Sequence, residues 1–372
     1  MSPVTLGVTP PLPLDAWFRR PRTTLPWPLA PRLRIHAQAR AGLYAALLRS
    51  GVEPDAEALL PAYHHGSEIE AYVRAGIKHR FYDLEPGAKP DPNLIDALSS
   101  PRTRFVHVTH YLGLPSPVDA WREIADQRGW RLVEDTAQGW LGKMADRPLG
   151  ATGDIALFSV YKSVGVPDGG IATLHGEPIE PDGRGDLGLG SAARRHARFL
   201  GSRIPAVARL WESTGRPYDA ARDMALGDPG LAAARITSRL LRRLVDDRVA
   251  DRRAEAYRRL LADLDTWVPE AWRRDPGESS PFALPVQVSD KSRALAALRA
   301  AGIGAVDLWS VPHPSLDPTE QPIATRLRAQ VLLLPVHQEL RPKDIQRISR
   351  VAREILGREQ SRSRGMGGDG DR

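Results

Sequence analysis

Between residues 40 and 356 the hydrophobic positions fall into two alternating patterns: stretches with apolar residues three and four apart, and short apolar runs bounded by glycine, proline or charge. The first suits a helix with a buried face, the second a buried strand. Helical spacing runs over 41–50, where Gly51 occupies the left-handed cap position, and again over 67–75, 93–98 and 119–128, the last closed by Gly129. Strands are predicted at 58–63, 80–83, 104–110, 131–135, 154–159 and 170–174. Helices alternating with short apolar strands indicate an α/β fold with a largely parallel sheet.

Beyond residue 190 the chain is arginine-rich and reads as helical to about 264, with Ile236, Leu240, Leu244, Val249, Tyr257, Leu260 and Leu264 at helical spacing from 231 onward. A second alternation follows: a strand at 282–288, a helix at 292–301, a strand at 331–336 and a final helix at 343–356. Four units are expected. Residues 1–32 form a proline-rich arm, 33–235 a large domain, 236–356 a smaller C-terminal α/β domain, and 357–372 a disordered Gly/Ser/Arg tail. Eight prolines keep the arm extended and irregular. Trp17, Phe18 and Trp27 suggest that it docks against something, such as a partner subunit.

Composition narrows the chemistry. The 372 residues contain no cysteine, which excludes disulfides, thiolate catalysis and cysteine-ligated zinc or iron–sulfur sites. No run approaches the ~20 apolar residues of a membrane-spanning helix, and residues 1–20 lack the pattern of a signal peptide, so a cytoplasmic protein is expected. The net charge is +7, but the excess is nearly all arginine and is spread along the chain, which argues against specific nucleic-acid binding.

That arginine bias makes the few lysines informative, because lysine occurs only at 78, 89, 143, 162, 291 and 343. Lys162 follows the apolar strand at 154–159. Unlike the guanidinium of arginine, a partly desolvated lysine amine can act as a nucleophile and form a Schiff base. Ligands of α/β sheets bind beyond the carboxyl ends of the strands, and another strand end places Asp135 there. A pyridoxal phosphate (PLP) enzyme needs a lysine for the aldehyde, a carboxylate for the ring nitrogen and a cup for the phosphate. Ser159, three residues before Lys162, and the helix start near Arg40 could supply that cup.

The segments Leu132-Val-Glu-Asp-Thr-Ala-Gln138, Gly153-Asp-Ile-Ala-Leu-Phe-Ser159, Lys162 and Asp168-Gly-Gly170 resemble the DegT/DnrJ/StrS family of PLP-dependent sugar aminotransferases. So do Leu60-Pro-Ala-Tyr-His-His65, His110-Tyr-Leu-Gly113, Arg253-Ala-Glu-Ala-Tyr257 and Leu334-Pro-Val-His337, and the likeness covers about 38–356. It implies the aspartate-aminotransferase-like PLP fold: a large domain with a mostly parallel mixed sheet between helices, plus a smaller C-terminal α/β domain. By that resemblance Lys162 is the Schiff-base lysine and proton shuttle, and Asp135 the partner of the ring nitrogen. Gln138 would donate to the ring hydroxyl, His65 would stack on the ring, and Ser159 with Ala39 and Arg40 would form the phosphate cup. It further implies a homodimer that moves an amino group from an amino acid, L-glutamate, to a nucleotide-linked keto-sugar.

Three features depart from the family pattern. Ser159 and Lys162 are more closely spaced than in common members. Asn93, the sole asparagine, lies in the wrong region to reach a neighbouring subunit's phosphate. Residues 176–190 form a Gly/Asp-rich insert. Relatives that act as dehydratases carry histidine in place of the lysine, and Lys162 argues against that activity. The alternative from another class is a non-catalytic regulator or scaffold of the same fold, with its basic helices on nucleic acid or an acidic surface. Such a protein would be expected to lose Lys162 or Asp135 first, and both are present.

Overall fold

The computed structural model describes residues 6–30, 33–51, 53–183, 185–187 and 219–366. The strands in chain order are β1 (Leu6–Gly7), β2 (Glu57–Pro61), β3 (Lys78–Tyr82), β4 (Thr103–Thr109), β5 (Arg131–Asp135), β6 (Lys143–Met144) and β7 (Arg147–Pro148). They continue with β8 (Ile155–Ser159), β9 (Gly170–Leu174), β10 (Glu177–Pro178), β11 (Ala283–Gln287), β12 (Ile303–Gly304), β13 (Val306–Asp307) and β14 (Val331–Pro335). The α-helices are α1 (Ala39–Arg49), α2 (Ser67–Arg74), α3 (Pro92–Leu98), α4 (Val118–Arg128), α5 (Val160–Ser163) and α6 (Ala220–Met224). After them come α7 (Arg235–Leu244), α8 (Val249–Leu264), α9 (Lys291–Ala300), α10 (Pro322–Gln330) and α11 (Pro342–Met366).

Seven strands form the large sheet in the order β10-β9-β8-β5-β4-β2-β3. β3, β2, β4, β5 and β8 run parallel, whereas β9 is antiparallel to β8 and β10 to β9. Strands β2 and β8 are buried at every position, as expected for a sheet covered on both faces. One face packs on α1, where Leu43, Ala46 and Leu47 meet Ile155, Leu157 and Ala172. That helix is buried on most of its circumference, since its small residues allow it close to the sheet. The opposite face buries Val106, Val108 and Leu132 against Trp121 and Ile124 of α4.

A second sheet, β11-β14-β13, is wholly antiparallel, with β14 at its centre. Leu284, Leu332, Leu333 and Leu334 pack there against Tyr257 and Leu260 of α8 and Ile348 of α11. The fold is thus α/β with a mixed, mostly parallel large sheet, as the sequence predicts.

Four details differ from the sequence reading. First, 231–264 is not one helix: α7 ends at Leu244 and α8 starts at Val249, with Asp246 accepting the N–H of Arg248 at 2.8 Å in the break. The part at 190–218 lies outside the described residues. Second, Leu240, Leu241 and Leu244 of α7 pack with Phe158 of the large sheet and Val160 of α5, so the large core continues past residue 235. Third, α11 runs through Gly357 to Met366 where a disordered tail was expected. Its buried stripe of Ile348, Ala352 and Leu356 reaches Glu359, which pairs with Arg293 of α9 at 3.3 Å. Residues 367–372 lie outside the described set.

Fourth, the arm folds back on its own chain. β1 pairs in parallel with β12, and Leu12, Ala16 and Leu29 enter the core around Phe158 and Val160. Trp27 meets Phe158 edge-on at 5.4 Å and donates its indole N–H to Gly176 O at 3.2 Å, while Leu14 and Phe18 stay exposed. The insert at 176–190 begins as the β9–β10 hairpin, and Leu187 then donates to Ala232 O; residues 184 and 188–190 are outside the described set. No helix among the described residues is long and apolar enough to cross a membrane.

Candidate active site

The carboxyl ends of β5 and β8 are neighbours, and β9 starts opposite the end of β8, with Ser159 paired to Gly170. A cleft of about 360 Å³ opens at this corner of the sheet, within the size range of small-molecule sites. Ala39, Arg40, His65, Asp135, Gln138, Ser159 and Lys162 all line it. These seven residues span four separate regions of the chain, and the sheet topology alone brings them together.

Lys162 and Ser159 share the cleft because the two residues between them complete one helical turn. Ser159 ends β8 and caps α5, and Lys162 sits in that four-residue helix. The tight Ser-x-x-Lys spacing is therefore one turn of helix. The Nζ of Lys162 lies 6.0 Å from the centre of the Phe282 ring.

Asp135 is buried at the end of β5, where its Oδ1 accepts the N–H of Ala137 at 2.7 Å. Its Oδ2 lies 3.6 Å from Nε2 of His107, in the middle of neighbouring β4. Burial raises the pKa of the Tyr72 phenol well above its usual value, and its hydroxyl lies 3.1 Å from His107 Nδ1. Gln138 is oriented by a backbone contact. Its Oε1 accepts the N–H of Leu112 at 2.7 Å, so its NH₂ group is the end left for the cleft.

The first turn of α1 supplies Ala39 and Arg40. A helix start leaves its leading N–H groups without intrahelical acceptors and carries the positive end of the helix dipole, which suits an anion. Its approach to the sheet requires Gly170, where an added Cβ would lie 2.0 Å from Ala39 N. The Arg40 side chain ties α6 to the rim, since Nη1 donates to Asp223 O and Ala225 O, both at 2.8 Å.

His65 is half-buried at the opposite wall. Its Nδ1 lies 3.1 Å from Ser67 Oγ, and its N–H donates to Glu68 at 3.0 Å. Burial pulls the His65 pKa down despite Glu68, so the ring is neutral at pH 7. Burial alone would raise Glu68, but His64, His65 and His107 more than offset it and hold the carboxyl at about 2.

The sequence reading missed Glu68, Thr109, Tyr161 and Trp309 in the lining and His107 behind Asp135. A histidine inside the apolar run Phe105–Val108 was a usable signal for His107. Trp309 gave none. It reaches the cleft from beyond β13 with a left-handed φ of 53° and packs 5.0 Å from Tyr63. Glu134, beside Asp135, points away and is structural: it accepts from His110 Nε2 at 2.7 Å and from the N–H groups of Gly150, Thr152 and Gly153. Among the described residues no group of three or more His, Asp or Glu side chains is arranged to hold a metal ion.

Comparison with known proteins agrees with this architecture. The chain is 27% identical over 341 residues to UDP-N-acetyl-3-dehydro-α-D-glucosamine 3-aminotransferase of Acidithiobacillus ferrooxidans, covering 86% of this chain and 83% of that one. It is 33% identical over 141 residues to dTDP-3-amino-3,4,6-trideoxy-α-D-glucose transaminase of Streptomyces venezuelae, 37% of each chain. Among solved structures, the aminotransferase TlmJ of Streptoalloteichus hindustanus superposes with a TM-score of 0.60 at 24% identity, over 88% of this chain and 86% of that one. NtdA of Bacillus subtilis, solved with its PMP cofactor bound, gives 0.59 at 16% identity, over 87% and 73%. The pattern of the DegT/DnrJ/EryC1/StrS aminotransferases matches residues 37–353, a span that includes both sheets and every side chain of the cleft. The chain belongs to the DegT/DnrJ/EryC1/StrS aminotransferase family.

Proposed function

We propose that this aminotransferase holds pyridoxal phosphate in the cleft and moves an amino group from L-glutamate to a nucleotide-linked keto-sugar, working as a homodimer in the cytoplasm. The observation that carries the reading is the convergence of Lys162, Asp135, Gln138, Ser159, His65 and the α1 N-terminus on one cleft. The donor set suits the group: one amine, one buried carboxylate, one amide, one hydroxyl and a helix start held to the sheet by the missing side chain of Gly170. The sugar acceptor is supported by the nucleotide-sugar names of the two curated relatives.

When bound, pyridoxal phosphate supplies an aldehyde that takes up the amine and a ring that absorbs the electron pair left on the substrate Cα. The protein contributes the rest. Asp135 holds a proton at the ring nitrogen, and the Ala137 N–H keeps the carboxylate oriented. The Gln138 amide donates to the ring hydroxyl, and the neutral His65 ring covers one face. Ser159 Oγ and the leading N–H groups of α1 bind the phosphate. Lys162 Nζ is placed to take the proton from the donor's Cα and return it to the carbon on the far side of the transferred nitrogen, which is general acid–base catalysis by a positioned amine.

The test is the visible spectrum of the purified protein with added PLP, beside Lys162→Ala. A lysine-dependent band that bleaches on adding L-glutamate is the expected result. No band in the wild type at saturating PLP refutes the assignment.

A further inference from the structure

A helix as short as α5 leaves its closing carbonyls without intrahelical partners. Val164 N–H returns to Val160 O at 3.0 Å, but the next carbonyls are met from far away in the chain. The carbonyl of Lys162 accepts both terminal nitrogens of Arg253, at 3.2 and 2.9 Å. The carbonyl of Ser163 accepts Nε2 of Gln338 at 3.0 Å. Neither donor belongs to the large sheet: Arg253 is on α8, and Gln338 follows β14 of the second sheet.

Both donors are buried, and Arg253 fully so. Burial pulls its pKa down to about 9, with no carboxylate among the described residues acting to restore it, and it is still charged at neutral pH. A buried guanidinium without an anionic partner is costly. Both of its terminal nitrogens donate to one backbone atom, the carbonyl of Lys162.

We propose that Arg253 and Gln338 are positioning residues that clamp the carbonyls of Lys162 and Ser163 and so fix where the lysine amine enters the cleft. This rests on the reading of Lys162 given above. The clamp acts through the backbone, and neither residue lines the cleft. It makes the second sheet part of the lysine's mounting, so a displacement of α8 or of the segment after β14 moves the lysine main chain.

The test uses the full chain with Arg253→Met, Arg253→Lys and Gln338→Leu. In the cofactor-free protein, amide hydrogen exchange over 160–166 is expected to quicken about 10–100-fold in Arg253→Met and Gln338→Leu, with β5 unchanged and partial recovery in Arg253→Lys. In the loaded enzyme, kcat for the glutamate half-reaction is expected to fall about 10–100-fold with KM within twofold, the scale of a small misplacement of a catalytic group. If Arg253→Met does not fold, Gln338→Leu carries the test. Wild-type exchange over 160–166 in Gln338→Leu, and in Arg253→Met where it folds, overturns the clamp. Borohydride reduction that leaves no PLP on Lys162 of the wild type overturns the cofactor reading alone, because the exchange result is obtained without cofactor.

Discussion

Replacing Gly170 by alanine tests how the cleft is built. The new Cβ would lie 2.0 Å from Ala39 N, 2.2 Å from Gln38 C and 2.4 Å from Ala39 Cα, where real Cβ atoms stay beyond 3.0 Å. The atoms in the way are backbone, so no side-chain rotation relieves them, and the two segments must part by about 1 Å. They are also tied together, since Gly170 N–H donates to His36 O at 2.8 Å and Gly169 N–H to Ala37 O at 3.2 Å. Overpacking of this kind costs about 3 kcal/mol. The 1 Å shift falls on the helix start assigned to the phosphate, and about 100-fold weaker PLP binding is expected from a misplacement of that size. Urea unfolding measures the first effect and fluorescence titration with PLP the second. Gly357→Ala is the control: it lies inside α11 with open space around it, and the substitution should stabilise by up to about 1 kcal/mol. A Gly170→Ala protein with wild-type stability and PLP affinity would refute the close approach of α1 to β9.

Stability should fall in mild acid. Burial holds both His64 and His337 at about 3, below their ordinary 6.5, so the unfolded chain takes up their protons first as pH drops. Stability present above pH 6.5 is therefore lost between 6.5 and 3, at about 1.4 kcal/mol per pH unit per histidine. From 6.5 to 5 that is about 4 kcal/mol for the pair, and a urea midpoint that does not move between pH 7 and pH 5 contradicts it. Glu134→Gln should cost about 3 kcal/mol, because an amide NH₂ would face backbone N–H groups that now donate to a carboxylate; a melt within two degrees of wild type would show that Glu134 is dispensable to the fold.

The parts of the site legible in the sequence were those whose chemistry is local. Asp135, Ser159 and Lys162 stand at strand ends, and a scarce lysine in an arginine-rich chain drew attention by itself. The parts that were not legible depend on contacts across hundreds of residues. Arg328 holds the carbonyls of Ala62 and Trp309 from α10, and no local pattern joins those three positions. The break between α7 and α8 was readable in principle, since Asp246 and Asp247 interrupt an apolar spacing with residues that favour helix starts. The continuation of α11 past Gly357 was not, because its support, Arg293, lies on another helix. The same limit explains Arg40. Sequence placed it at the helix start, but the carbonyls of 223 and 225 that take its side chain come from a distant segment.

The pairing of β1 with β12 sets a constraint on the order of assembly. Leu6 and Gly7 emerge from the ribosome nearly three hundred residues before Ile303 and Gly304, their only strand partners among the described residues. The large sheet, complete by residue 178, can form while the chain is still growing. Val8, by contrast, belongs to the core of the C-terminal sheet and has nothing to pack into until that sheet is made. Closing so long a loop is slow, so β1 is among the last pieces to settle. A bulky fusion placed close before Leu6 should hinder the maturation of the C-terminal sheet, at the far end of the chain.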